Sequence, residues 1–190
     1  MVGHEDGPIS NDAFHFVESK LKILQEAKEQ NVEFQFLLHG GESLDAVENL
    51  YDLTLLGTKR IGHGFNLFRF PNLYEIIKEK DICIEVCPIS NHVLGYVNDL
   101  RNHHAIGYLA NSVPIVISPD DPGMMGYLGV THDYFIAMMY WNLDLSGIKK
   151  LILNTIKYST LTKEQKKELQ NIWDSKYDQF LDEIIKIIYK

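Results

Sequence analysis

Four short segments of this 190-residue sequence share one design: an apolar run that ends in polar residues at a turn marked by glycine or proline. They are residues 36–42 (FLLHGGE), 60–64 (RIGHG), 84–91 (IEVCPISN) and 116–122 (VISPDDP). Apolar and β-branched runs of this length are typical of buried strands. Because the carboxyl ends of parallel strands meet at one edge of a sheet, where barrel enzymes carry their catalytic residues, we expect the polar ends to share one pocket.

Helical periodicity alternates with these strands. We predict strands over residues 33–38, 60–63, 82–87 and 114–118, and helices over residues 11–30, 43–56, 70–80, 91–100, 104–111, 131–142, 146–158 and 162–188. Such alternation indicates an α/β fold with a parallel sheet. Since a closed (β/α)8 TIM barrel has eight strands in about 250 residues, the sequence predicts the C-terminal half of such a barrel with C-terminal helices. Residues 1–190 would form one partial domain that lacks the N-terminal strands.

Composition argues against some classes of partner. A formal net charge of −8 argues against a general nucleic-acid-binding protein, because phosphate binding needs a basic surface. No apolar run approaches the roughly 20 residues of a membrane-spanning helix, and the N-terminus lacks the apolar centre of a signal peptide. We therefore predict no nucleic-acid partner, no membrane insertion and no signal peptide within this chain. Cys83 and Cys87 are predicted to be buried thiols rather than a disulfide, because four positions along one strand separate side chains by about 13 Å.

Histidines and a carboxylate at the first two strand ends are candidates for chemistry. His39 ends the first strand, and Glu42 follows it after two glycines. Imidazole is a good zinc ligand, and a carboxylate with a tuned pKa is a good general acid. His63 ends the second strand between two glycines. A structural explanation stands beside each: His39 could bond a buried carbonyl, Glu42 could cap the next helix, and His63 could be a turn residue.

Asp120 and Asp121 directly follow the last strand. Adjacent carboxylates repel each other unless a positive charge lies near them, and a metal ion would supply that charge. The alternative is a solvated turn in which one of the two carboxylates caps a helix. Because polar residues recur in this way at successive strand ends, the combined pattern favours a metal-dependent enzyme over the separate structural explanations.

Taken in order, the motifs resemble those of the adenosine deaminase family of metal-dependent purine hydrolases. The series is H-G-G-E, R-I-G-H-G, E-V-C-P-I-S-N and S-x-D-D-P. The longer stretches RIGHGFNL, DICIEVCPISNHVLGYVNDLRNH and PIVISPDDPGMMG are similar to one branch, the adenosine deaminase-related growth factors of adenosine deaminase 2 type. The similarity covers nearly the whole chain, from VGHED at its start to the C-terminal helix.

This resemblance implies zinc-dependent hydrolytic deamination of adenosine or deoxyadenosine to inosine and ammonia. His39 and Asp120 would be ligands of one Zn²⁺. Glu42 would protonate the purine ring nitrogen beside the attacked carbon. His63 would orient the attacking water and help to deprotonate it, and Asp120 would also be a partner of that water.

The resemblance further implies two contacts with the base. Asp121 would hold another ring nitrogen, and the backbone N–H of Gly3 would contact the purine. Ser90 and Asn91, which follow the third strand, are expected to fix their loop rather than to touch the substrate.

The sequence departs from the family pattern in one important respect. The family has a His-x-His pair at the end of the first barrel strand, which supplies two zinc ligands, and this sequence contains no such pair. The adjacent His103 and His104 are predicted to be solvent-facing loop residues that cannot replace it. Since a catalytic zinc normally has three protein ligands, we expect these 190 residues alone to bind zinc weakly and to turn over little adenosine. An uncovered sheet edge and apolar faces favour association, for example as a homodimer.

Other functions stay open on the sequence. A related deaminase of AMP or adenine would differ at the ribose and phosphate end of the substrate. A non-catalytic growth-factor-like or receptor-binding protein could keep the scaffold. A metal-dependent hydrolase of another ring substrate is a third reading, although Glu42 together with Asp121 favours a purine. The branch that the chain resembles also implies an extracellular, secreted protein.

Overall fold

The computed structural model describes residues 12–43 and 47–189, in which short strands alternate with helices. The strands are β1 (Leu37–Gly40), β2 (Arg60–His63), β3 (Cys83–Val86) and β4 (Ile115–Ile117). The α-helices are α1 (Asp12–Glu29), α2 (Asn49–Leu55), α3 (Pro71–Glu79), α4 (Pro88–Val93), α5 (Ala105–Ala110), α6 (Thr131–Tyr140), α7 (Leu145–Lys157) and α8 (Lys163–Ile188). Two 3-10 helices span Phe65–Arg69 and Leu100–Asn102. No helix in this part of the chain is both long and apolar enough to cross a membrane.

The four strands form one parallel sheet in the order β1-β2-β3-β4. His39 of β1 lies beside Gly62 of β2, and Gly62 lies beside Glu85 of β3. Because all four strands run in the same direction, their carboxyl ends lie along one edge, as predicted. This arrangement confirms the predicted α/β class and places the four polar segments at the same edge of the sheet, where the strands end.

The core lies between the sheet and the helices that connect its strands. Leu73 and Ile77 of α3 are fully buried, and their spacing of four residues puts both on one side of the helix. They belong to a cluster with residues of the strands and of α2, α5, α6 and α7: Leu50, Leu53, Ile61, Ile84, Tyr108, Ile115, Ala137 and Leu151. Burial of this apolar surface fixes the sheet against its helices, and so fixes the strand ends relative to one another.

The predicted helix over residues 91–100 is wrong. The chain forms α4 earlier, with Pro88 at its first position, where the missing N–H costs nothing. The helix ends at Val93 because Gly95 takes a left-handed conformation with φ 78°, and its N–H bonds the carbonyl of His92. The first strand is also displaced, since it spans Leu37–Gly40 rather than residues 33–38.

Both cysteines are free and buried, as predicted. The prediction that His103 faces solvent is wrong, because His103 is only 3% exposed. The backbone N–H of Ala105 donates to His103 Nδ1 at 3.0 Å, and Nε2 lies 3.1 Å from Asn91 Oδ1. His104 packs its ring against Phe65. These histidines are therefore packing residues of the fold, and the aromatic side chains that cover them come from distant parts of the chain.

Candidate metal and active site

The turn after β1 brings Glu42 back over the strand end. Gly41 has φ 68°, and a Cβ there would lie 2.6 Å from Leu50 Cδ2 of α2. Only glycine fits such a close approach without strain. The Gly41 N–H donates to Asn49 Oδ1 at 2.9 Å, which ties the turn to the start of α2. As a result Glu42 is buried rather than solvated.

Asn66 holds this turn from the neighbouring strand connection. Its side-chain amide nitrogen lies 3.2, 3.0 and 3.0 Å from the carbonyl oxygens of Gly41, Glu42 and Ser43. Its backbone N–H also donates to the Gly41 carbonyl at 2.8 Å. Asn66 is fully buried, and its role in holding this turn was not predicted from the sequence. The available signal was an asparagine two residues after the glycine that follows His63.

His63 reaches the site because its backbone leaves the strand conformation. Gly62 lies on the same face as His39 and Glu85, since a Cβ on Gly62 would be 3.6 Å from both His39 Cβ and Glu85 Oε2. Strand residues alternate between faces, so an extended His63 would point away from His39. Instead His63 has φ 63°, and its ring centroid lies 4.6 Å from that of His39.

Four of the predicted site residues meet at this edge. Glu42 bridges the two histidines: its Oε2 is 3.3 Å from His39 Nε2, and its Oε1 is 3.2 Å from His63 Nδ1. On the other side of the same ring, His63 Nε2 is 3.9 Å from Asp120 Oδ1. The structure thus brings together residues from the ends of β1, β2 and β4, as their positions after parallel strands predicted.

Asp120 is fixed by a short hydrogen bond from Ser90, whose Oγ donates to Asp120 Oδ2 at 2.6 Å. This contact agrees with the expectation that Ser90 supports the loop. Asp121 is exposed, and its carbonyl accepts the N–H groups of Met124 and Met125. Within the described ranges no hydrogen bond or ion pair joins the Asp121 carboxylate to the cluster. Gly3 lies outside the described residues.

Burial favours the neutral form of His63. Burial lowers the pKa of His63 and the neighbouring His39 lowers it further, whereas the carboxylates of Glu42 and Asp120 act in the opposite direction. Behind the cluster, Arg60 forms an ion pair with Glu85 and donates from Nη1 to the Tyr158 carbonyl at 3.1 Å. A neutral imidazole can accept a proton or bind a metal ion, which an imidazolium cannot.

The donor set fits a transition-metal ion. One ligand atom from each of His39, Glu42 and His63 lies within 4.8 Å of the other two. Two imidazole nitrogens and a carboxylate oxygen form a set that zinc accepts. Asp120 adds a further carboxylate beside His63. This geometric set differs from the set implied by the resemblance, in which His39 and Asp120 bind the ion and Glu42 acts as an acid rather than as a ligand.

Comparison with known proteins agrees with this geometry. The family model described as adenosine deaminase matches residues 7–176. The chain belongs to the adenosine deaminase family. It is 38% identical over 187 residues to adenosine deaminase 2 of Dictyostelium discoideum, and 39% identical over 193 residues to adenosine deaminase 2 of Homo sapiens. Each alignment covers 97% of this chain but only 34% and 36% of those relatives, so the chain spans about a third of their length.

Solved structures of deaminases share the fold. The apo N6-methyl-AMP deaminase of Arabidopsis thaliana matches with a TM-score of 0.68 at 25% identity, over 82% of this chain and 44% of that one. A zinc-bound amidohydrolase from Burkholderia ambifaria matches in fold with a TM-score of 0.72 at 20% identity, over 96% and 48% of the two chains. The likeness confirms the predicted fold class: the four-stranded parallel sheet of this chain corresponds to part of the TIM barrel found in these proteins.

Proposed function

We propose that this chain carries the C-terminal half of a zinc-dependent adenosine deaminase site, which converts adenosine or deoxyadenosine to inosine and ammonia. The observation that supports it most is the convergence of His39, Glu42, His63 and Asp120 at one edge of a parallel sheet. Because the chain spans about a third of its relatives' length, the complete activity is proposed for a protein in which further barrel strands close the site.

Each residue has a role that its surroundings support. His63, whose pKa is lowered by burial, would take a proton from the attacking water, and Asp120 would orient that water from the far side of the ring. Glu42 would give a proton to the ring nitrogen beside the attacked carbon. The hydroxide would then add to the carbon that carries the amino group. The proton taken by His63 would pass to the amine, the C–N bond would break to release ammonia, and the remaining hydroxyl proton would return to Glu42 as the carbonyl group forms.

Zinc is the cofactor that we propose, one ion per site, with His39 and Asp120 as its ligands in this chain. When bound, zinc would supply water that is acidic enough to act as a nucleophile near neutral pH. Leaving Glu42 outside the ligand set keeps its carboxyl group available for proton transfer. Asp121 and the backbone N–H of Gly3 are proposed to contact the purine.

Zinc affinity and deamination, measured together on three variants, test these roles. Asp120→Asn should weaken zinc binding about 10- to 100-fold, because a neutral amide replaces a charged ligand. Glu42→Gln should keep zinc affinity within about threefold and abolish deamination. Asp81→Asn is the matched control, since its carboxylate bonds Lys157 and Tyr158 outside the cluster. Loss of zinc binding in Glu42→Gln, with retention in Asp120→Asn, would instead assign the ion to the His39, Glu42 and His63 set.

Activity is measured as adenosine deamination with added zinc, on the 190-residue chain alone and after addition of the N-terminal part of a full-length relative. A rate that appears only with both parts, and is absent in Glu42→Gln, is the expected result. No rate in either case would contradict the enzymatic proposal and favour the non-catalytic growth-factor-like or receptor-binding function.

A second substrate class is favoured by the structural likeness to N6-methyl-AMP deaminase. A deaminase of AMP or adenine would use the same cluster and differ where the sugar and phosphate bind. Rates with adenosine, deoxyadenosine, AMP and adenine separate these substrates. On its similarity to adenosine deaminase 2, we also propose an extracellular location for the protein.

A further inference from the structure

A buried carboxylate lies close to this site and has no part in the proposed chemistry. Asp133, in the first turn of α6, is 0% exposed. Its Oδ1 accepts the backbone N–H of Ile89 at 3.2 Å, and its Oδ2 is 3.0 Å from the hydroxyl of Tyr127. Both oxygens therefore have defined partners, one on α4 and one on the loop before α6. A carboxylate is costly to bury, so this placement calls for a structural reason.

The contact with Ile89 completes the start of α4. A helix leaves its first N–H groups without intrahelical partners, and Cys87, which precedes α4, provides no side-chain cap. Asp133 satisfies the Ile89 N–H from another helix. The next residue, Ser90, donates to Asp120 at 2.6 Å. The first turn of α4 is thus bonded to α6 through Ile89 and to Asp120 through Ser90.

The contact with Tyr127 reaches the same aspartate from its other side. The Tyr127 hydroxyl lies 2.7 Å from the carbonyl oxygen of Pro119, the residue immediately before Asp120. Asp120 has φ 55°, a left-handed conformation that is unfavourable for a residue other than glycine. A hydrogen bond to the preceding carbonyl opposes relaxation of this backbone, and so helps to keep the Asp120 side chain on the His63 side of the turn.

Counting protons indicates how the three groups share their bonds. A phenol has one proton, and the Pro119 carbonyl can only accept, so Tyr127 donates to Pro119. The same hydroxyl also faces Asp133 Oδ2 at 3.0 Å, so Tyr127 shares its proton between two acceptors when Asp133 is ionised and accepts a hydrogen bond from Asp133 when that carboxyl group is protonated. Burial raises the pKa of Asp133, which favours the protonated form. An asparagine could make the same two contacts, with its carbonyl facing Ile89 and its amide facing Tyr127.

We propose that Tyr127 and Asp133 are positioning residues, whose hydrogen bonds to Pro119 and Ile89 set the orientation of the Asp120 carboxylate. This inference rests on the proposed function, which gives Asp120 its role as a zinc ligand. The pair acts through Asp120 and does not contact the cluster of His39, Glu42 and His63 through any hydrogen bond among the described residues.

The test measures zinc affinity by competition with a chromophoric chelator, the exchange rates of the Ile89 and Asp120 amides, and stability in denaturant. Tyr127→Phe, which keeps the ring, should weaken zinc binding about tenfold or more. Asp133→Leu should do the same and speed exchange at Ile89, whereas Asp133→Asn should stay within about threefold of the parent affinity. Tyr158→Phe is the matched control, because it removes a phenol bonded to the carboxylate of Asp81, away from the cluster, and should leave zinc affinity unchanged.

Equal zinc affinity in Tyr127→Phe and the parent chain would overturn the inference, and so would an Asp133→Asn variant as weak as Asp133→Leu. Should Asp133→Leu fail to fold, the other two variants decide. A parent chain without measurable zinc affinity would count against the proposed function instead. In that case the positioning role is tested by the NMR amide resonance and the amide exchange rate of Asp120. If Tyr127→Phe changes neither, the positioning role is contradicted.

Discussion

Residues of the site depend on backbone conformations that side chains rarely adopt. His63 and Asp120 both have left-handed φ values, of 63° and 55°. Each conformation costs about 1–3 kcal/mol and persists only when neighbouring contacts hold it. Asp120 is held by Ser90, and the turn that carries Glu42 is held by Asn66. The orientation of the site residues is therefore maintained by hydrogen bonds from Ser90 and Asn66, which lie outside the cluster.

Asn66→Ala tests this support at the Glu42 turn. The substitution removes the buried side-chain amide that bonds the carbonyl oxygens of Gly41, Glu42 and Ser43, of which only Gly41 keeps the backbone N–H of residue 66. We expect the free energy of unfolding to fall by about 1–3 kcal/mol, because buried acceptors lose their partner. Chemical denaturation measures it. Asn111→Ala is the control, since Asn111 bonds one carbonyl at an exposed helix end and should cost clearly less. Equal losses would contradict the role of Asn66.

Some helices of this chain are stabilised by neighbouring residues, and others by contacts with distant parts of the chain. The long α8 is specified locally: Thr162 accepts the N–H of Gln165, and the Gln165 side chain bonds back to the Thr162 N–H. The six-residue α4 has no such cap and depends on distant partners, since Asp133 bonds its start and His103 bonds Asn91 within it. Short elements of this kind form only when the surrounding structure is in place.

The pH dependence of stability tests the packing of α4 against His103. Burial, followed by the nearby His104, lowers the pKa of His103 to about 3 from an ordinary value of 6.5. Below pH 6.5 His103 is therefore protonated in the unfolded chain but not in the folded chain. As a result, the free energy of unfolding falls as the pH decreases from 6.5 towards 3. This group alone should remove about 2 kcal/mol between pH 6.5 and 5.

Denaturation at a series of pH values, for the parent chain and His103→Gln, checks this expectation. Glutamine can reproduce both hydrogen bonds but does not titrate, so its stability should change less over the same range. The difference between the two curves isolates His103 from the other histidines. Parallel curves would show that His103 titrates normally in the folded chain.

At the scale of the whole molecule, α6 is apolar on two faces. Ala137 is fully buried against the core, whereas Phe135, Met138 and Met139 form an exposed stripe, with exposures of 61%, 39% and 61%. A helix that is apolar on all sides is normally buried. In addition, β1 pairs only with β2 and β4 only with β3 within the described ranges, so the sheet has two open edges there. Both features favour association despite the net charge of −8.

We expect the 190-residue chain to self-associate in a concentration-dependent manner, with a homodimer as the smallest associated species in sedimentation velocity. Phe135→Lys should raise the dissociation constant about tenfold or more, because it places a charge in the exposed stripe, and 1.4 kcal/mol corresponds to a factor of ten. Gln179→Lys adds the same charge on the exposed side of α8 and should have little effect. A chain that stays monomeric at high concentration would contradict this expectation.

Local patterns in the sequence were sufficient for the main elements and for the meeting of the site residues. Residues 60–63 form the predicted strand, and α3, α5 and α7 lie within one residue of their predicted bounds. Apolar runs and helical periodicity are properties of neighbouring residues, so they can be recognised without knowledge of the fold. The convergence of His39 and Asp120 followed from one topological fact, that parallel strands end at the same edge.

Only the tertiary structure decided how that edge is held. The partners of Asn66 lie 23 to 25 residues away, and Asp133 bonds Ile89 across 44 residues. The sequence around His103 indicated an exposed loop, yet Asn91 and the ring of Trp141 enclose it. Such contacts depend on which distant groups the packed core brings within hydrogen-bonding distance, and on the cost of leaving a buried polar group unpaired. Neither quantity is encoded in a local pattern, so the meeting of the polar strand ends could be predicted from the sequence, while the hydrogen bonds that hold them required the fold.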